Sequence, residues 1–102
     1  MKILAIERET GGTTDTQFTQ PLLQREAGRA WELYQSGIIR EMYFHRDQHI
    51  AVLMLECADV DEARAALDTL PLVQAGFDFD LMPLIAYSGF ARLFAGSTND
   101  KP

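Results

Sequence analysis

Apolar residues crowd the middle of the chain in two consecutive runs. They are Ile38-Ile39-Arg40-Glu41-Met42-Tyr43-Phe44-His45 and His49-Ile50-Ala51-Val52-Leu53-Met54-Leu55-Glu56. Only Arg46-Asp47-Gln48 separates them, which predicts a hairpin of two antiparallel strands. A sheet with one wet face alternates apolar and polar residues. The second run does not: Ile50, Val52 and Met54 point one way, and Ala51, Leu53 and Leu55 point the other. Both faces of that strand therefore need cover. A small chain has little left for the second face, so another copy of the chain is the expected cover.

The flanking patterns complete the architecture. Lys2 to Glu7 reads as a first strand, and Glu9 to Thr16 as a mobile loop rich in Gly, Thr and Asp. A helix follows, with Thr19 as its cap and Pro21 in its first turn. Leu23, Ala27, Ala30, Trp31 and Tyr34 recur at helical spacing and are expected to form its buried stripe. Gly37 stands where a left-handed C-terminal cap belongs. Asp59 caps a second helix, with Glu62 three residues on. Val60, Ala63, Ala66, Leu67 and Leu70 form the apolar face of that helix. Pro71 ends it or opens a short turn, which Gly76 closes. Phe77 to Ile85 reads as the last strand, with Phe77, Phe79 and Leu81 on one face and Asp78, Asp80 and Met82 on the other. Ser88 to Ala95 is a short amphipathic segment carrying Phe90, Leu93 and Phe94.

The order β-α-β-β-α-β is the split ferredoxin-like arrangement, an α+β fold with a four-stranded antiparallel sheet and two helices on one face. A bare apolar face on such a sheet is unusual in a soluble monomer. Two sheets facing each other close into a shared dimeric α+β barrel. Residues 1–95 are expected to form this single domain, and residues 96–102 a disordered tail.

The stretch from Gly37 through Leu84 resembles the muconolactone isomerase-like branch of the dimeric α+β barrel proteins. The resemblance rests on Gly37 followed by Arg40, the aromatic Tyr43, and Glu56 ending the third strand. It continues with Val60 opening the second helix and with Leu70-Pro71-Leu72. It implies a homodimer or larger homo-oligomer and a small-molecule pocket. It also implies the shift of a double bond in a lactone-like compound with neither metal nor organic cofactor. Related barrels include cofactor-free monooxygenases. A non-catalytic binding protein sheltering a hydrophobic metabolite is the reading from another class.

Composition narrows the partners. A chain of 102 residues supports one core, and a hydrophobic content of 47% is ordinary for a globular domain. Net charge is -6 and the nine Lys and Arg are scattered, so neither nucleic acid nor an anionic membrane is an expected partner. Cys57 stands alone, which fits a reducing compartment. The first residues lack the features of a secretion signal, and no apolar run is long enough for a membrane span, so a cytoplasmic location is expected.

Proton transfer next to a carbonyl needs a base and a donor for the developing oxyanion. Glu7, at the end of the first strand and turned toward the helices, is a candidate base. Arg40, among Ile38, Met42 and Phe44, is a candidate anchor for an anionic group. Tyr43 and His45 are candidates for the oxyanion donor and the proton carrier. Trp31 and Tyr34 are candidate substrate contacts or core residues. Strand alternation puts Arg40 and Tyr43 on opposite faces, so one pocket takes both only with help from a partner subunit. His45, Asp47 and His49 around the hairpin tip could ligate a metal, although such tips are usually polar and exposed. Asp78 and Asp80 share a face, as a catalytic pair or as a solvated edge.

Overall fold

The structure, a computed structural model, describes residues 1–8 and 19–94. The Gly- and Thr-rich loop and the tail from residue 95 onward lie outside the described residues. The elements are β1 (Lys2–Arg8), α1 (Gln20–Gln35), β2 (Ile39–Phe44), β3 (Ala51–Glu56), α2 (Val60–Leu67), the single turn α3 (Pro71–Gln74), β4 (Asp78–Leu84) and the single turn α4 (Ala91–Phe94). One antiparallel sheet runs in the order β2-β3-β1-β4. This is the ferredoxin-like α+β arrangement expected from the pattern.

Local chemistry sets the element ends. The Thr19 hydroxyl accepts from the Leu22 N–H at 3.3 Å, and Pro21 stands in the first turn of α1. Gly37 leaves the helix at φ +87°, where a side chain would be strained. Asp59 Oδ1 accepts from the Glu62 N–H at 2.7 Å and starts α2. Leu70, which precedes α3, makes no side-chain cap bond. The free Leu72 N–H of α3 donates instead to Glu26 Oε1 of α1 at 2.9 Å.

The ladders define two faces. Ile3 and Ala5 of β1 oppose Leu55 and Leu53 of β3, and Ala5 opposes Leu81 of β4. These residues face the helices. Ile3, Ala5, Leu53 and Leu55 are fully buried there with Ala63, Leu67 and Leu70. Burial of such side chains contributes about 1.5–3 kcal/mol each. Leu4, Ile6, Val52, Met54 and Met82 occupy the opposite face. Ile6 is 37% and Met82 52% exposed, so this apolar face is uncovered in the single chain. Among the described residues, no helix is long and apolar enough to cross a membrane.

Three expectations need correction. β2 does not alternate simply, because the register slips between Ile39 and Glu41. Arg40 is the extra residue of this bulge. Parity changes across it, so Ile39 opposes Leu55 and Met42 opposes Leu53 on the helix side of the sheet. The hairpin link is also longer than three residues. The strands stop at Phe44 and Ala51, and the His45 imidazole Nδ1 accepts from the N–H groups of Asp47 (3.0 Å) and Gln48 (3.1 Å). The His45 N–H still donates to the Ile50 carbonyl at 2.8 Å, and the two bonds to Nδ1 turn the backbone just beyond it. Finally, Leu33 and Ala30 are the buried positions of α1, whereas Trp31 and Tyr34 are 57% and 49% exposed. A step of 100° per residue turns those two rings off the core-facing line.

Candidate functional site

The site is a cavity of about 960 Å³ between α1, α3 and the β2–β3 half of the sheet. Leu23, Ala27, Trp31 and Tyr34 form one wall, and Leu72 and Val73 close an end. Phe79, Ala51 and Leu53 form the floor, and Met42 and Phe44 extend it toward the sheet edge. The Trp31 and Tyr34 rings stack at 5.7 Å between centroids, and Phe44 stacks on His49 at 4.9 Å. The cavity is thus a largely apolar and aromatic space of the size that small-molecule sites take.

Three acidic residues line it, Glu7 and Glu26 from the helix side of the sheet and Glu41 at the edge strand. Glu7 continues the helix-side row of Ile3 and Ala5 and stands opposite Phe79. Its Oε1 accepts from the Ala51 N–H at 2.8 Å. Glu26 comes from α1, in line with Ala30 and Leu33 at i+4 and i+7. Its Oε1 is held by the Leu72 N–H. Among the described residues, no hydrogen bond is recorded to Oε2 of either group. Burial pushes the Glu26 carboxyl above its ordinary range against the lowering effect of the Leu72 N–H, and the negative charge of Glu7 pushes it the same way. No cation takes part in that balance.

The other candidates stand elsewhere or in different roles. Arg40 borders the cavity, but its Nε donates to the Gly37 carbonyl at 2.7 Å. Its charge acts on Glu56, which is held below the usual carboxyl range first by a hydrogen bond from the Met1 amino group and also by Arg40. Tyr43 and Glu41 oppose Val52 and Met54, so their side chains lie on the helix-free face although their strand edges the cavity. The Tyr43 hydroxyl donates to Glu41 Oε1 at 2.6 Å, and that bond with the charge of Glu41 raises the phenol pKa. His45 sits in the turn, outside the cavity, with Nδ1 engaged by the two backbone N–H groups. Trp31 and Tyr34 both line the cavity.

Asp78 and Asp80 do not point to the site. Arg8 binds both, and Arg64 Nη1 holds Asp78 Oδ1 at 2.8 Å. Among the described residues, no three His, Cys, Asp or Glu side chains converge as a metal site. The residue that sequence reading missed is Glu26. Its signal was present: a charged side chain in phase with the apolar stripe of α1.

Comparison with known proteins adds the fold relationship. No protein-family model matches the chain, and no curated protein matches it by sequence. Among solved structures, the crystal structure of muconolactone isomerase superposes with a TM-score of 0.68 at 15% identity, over 86% of this chain and 92% of that one. The fold is muconolactone isomerase-like. The low identity carries the backbone arrangement and leaves the chemistry to the residues of this chain.

Proposed function

We propose that the protein is a cofactor-free enzyme that moves a proton on a small oxygenated or lactone-like compound. The observation that carries this reading is the pair Glu7 and Glu26 on the wall of one apolar cavity. A binding module for a hydrophobic metabolite needs a dry cavity with one polar anchor. Two carboxyl groups in that cavity, each steadied by a backbone N–H, suit acid–base work better.

The two environments divide the labour. Glu26, whose carboxyl keeps its proton to higher pH than usual, donates a hydrogen bond to the carbonyl oxygen of the substrate. Glu7 takes a proton from the adjacent carbon and returns it one allylic position away. The enolate formed between the two steps is steadied by the hydrogen bond that the Glu26 O–H donates to its oxygen. No net proton is gained or lost, so neither metal nor organic cofactor is needed. Trp31 and Tyr34 hold the flat substrate against the helix wall.

The reading is tested with α-angelica lactone, whose double bond moves into conjugation with the carbonyl and is followed by ultraviolet absorbance. Glu7→Gln keeps an oxygen to accept from the Ala51 N–H but loses the base, and is expected to slow the reaction by about 10²-fold or more. Wild-type rates in that variant would rule out the assignment.

We also propose that copies of the chain associate through the uncovered sheet face. The support is the row Leu4, Ile6, Val52, Met54 and Met82, with the exposed aromatic side chains of Tyr87 and Phe90 beyond β4. A reducing, cytoplasmic setting is supported by the free and buried Cys57.

A further inference from the structure

The segment that follows β4 carries apolar surface that its own chain leaves in water. Ile85 is 91% and Phe94 84% exposed, and Tyr87, Phe90 and Leu93 between them are exposed as well. The buried core lies elsewhere, between Ile3 and Phe79. A second wet apolar surface rims the cavity, where Trp31, Tyr34, Met42 and Phe44 line the space and are all exposed. Contiguous apolar surface of this kind marks a contact site.

Sheet order keeps the two surfaces apart within one chain. The order β2-β3-β1-β4 makes β2 and β4 the edges, about 14 Å apart at the usual strand spacing. Met42 and Phe44 belong to the β2 edge, whereas the segment leaves from Leu84 at the β4 edge. The exposure of both surfaces shows that the segment does not cover the rim of its own cavity.

A second copy removes that separation. Two helix-free faces related by a two-fold axis along the strands bring β4 of one copy against β2 of the other at both seams. The segment that leaves β4 then runs onto the neighbour's cavity rim, and two equivalent contacts cover both apolar surfaces. Charge favours the same match. Glu7, Glu26 and Glu41 outnumber Arg40 in the cavity lining, and the charged residue of the segment is Arg92.

We propose that residues 85–94 of a second copy cross the β2 edge and roof the cavity over Trp31, Tyr34, Met42 and Phe44. Each site is then completed by the neighbouring chain, which closes it to water. The inference rests on association through the helix-free face and not on the chemistry of the two glutamates.

Trp31 is the one tryptophan of the chain, so its fluorescence reports on the rim directly. The variant Phe90→Ser/Leu93→Ser/Phe94→Ser changes the segment and leaves the core residues alone. Circular dichroism checks that it is folded. Against the assembled wild type, its emission is expected to shift to the red and its acrylamide quenching to rise at least about twofold. Co-expression with two different tags then yields mixed assemblies in which the partner chain carries Trp31→Phe and is silent. The triple-serine chain paired with a silent chain of intact segment should regain wild-type shielding. The reverse pairing, with the serines on the silent chain, should expose Trp31. Shielding that follows the segment of Trp31's own chain overturns the proposal. A wild type that sediments as an assembly yet quenches like the triple variant overturns the roof alone. A wild type that sediments as a single subunit removes the roof and the association together.

Discussion

Glu26 of α1 serves as the distant cap of α3, accepting from the Leu72 N–H across 46 positions of sequence. That bond fixes the carboxyl at the cavity wall and also satisfies a backbone donor that Leu70 leaves unpaired. The same group therefore has a structural duty beside the chemical one proposed for it, and the two respond differently to substitution.

Stability should report this through pH. Burial raises the folded-state pKa of Glu26 above its ordinary 4.5. The folded chain then binds that proton more tightly than the unfolded chain. The contribution is fully present below pH 4.5 and is lost as pH rises through the folded value. Glu26→Gln keeps an acceptor for Leu72 and removes the charge. Its urea midpoint should exceed that of the wild type at pH 7.5 and match it at pH 4. Glu26→Ala leaves the Leu72 N–H unpaired and should cost about 1–3 kcal/mol.

Asp78 shows the opposite sign. The Phe79 N–H, aided by Arg8 and Arg64, holds its carboxyl below the ordinary 3.8. The stabilisation is present above that value and is lost as pH falls through the lower folded value. The pairs are partly solvated, so Asp78→Asn should cost only about 1 kcal/mol at pH 7. The difference from the wild type should shrink in acid, as followed by thermal unfolding at pH 7 and pH 3.

The turn at Gly37 offers a backbone test. Its φ of +87° disfavours any L side chain, yet a Cβ there meets nothing nearer than 3.7 Å. Gly37→Ala should therefore destabilise by about 1–2 kcal/mol through strain alone. Chemical denaturation should show a shifted midpoint with an unchanged slope.

Association should depend on the helix-free face. Ile6 and Met82 are exposed there, next to rows that include Val52 and Met54. Ile6→Lys and Met82→Lys place a charge on that surface without touching the core. Each should shift sedimentation toward the single subunit at low micromolar concentration. Unchanged sedimentation in both would exclude this face as the contact.

Much of the fold was legible because local rules and global packing agree. Thr19, Pro21, Gly37 and Asp59 mark helix ends by chemistry that acts within a few residues. The two-faced apolar run of β3 announced a strand needing cover on both sides, and the ladders place Leu53 and Leu55 inward and Val52 and Met54 outward. The site was less legible. Glu7 was readable from strand alternation, and Trp31 and Tyr34 from their place on α1. The bulge at Arg40 was not, since it arises from how β2 meets β3 and changes the facing of every residue after it. His45 looked free to carry protons until the turn showed its Nδ1 holding two backbone donors.

The sequence by itself determined the order of elements, their caps and the presence of an uncovered apolar face, because hydrophobic period and turn chemistry are properties of neighbouring residues. Only the tertiary structure decided which charged groups share a space. Glu7 and Glu26 lie on different elements, and no local rule sets the gap between α1 and the sheet in which they meet.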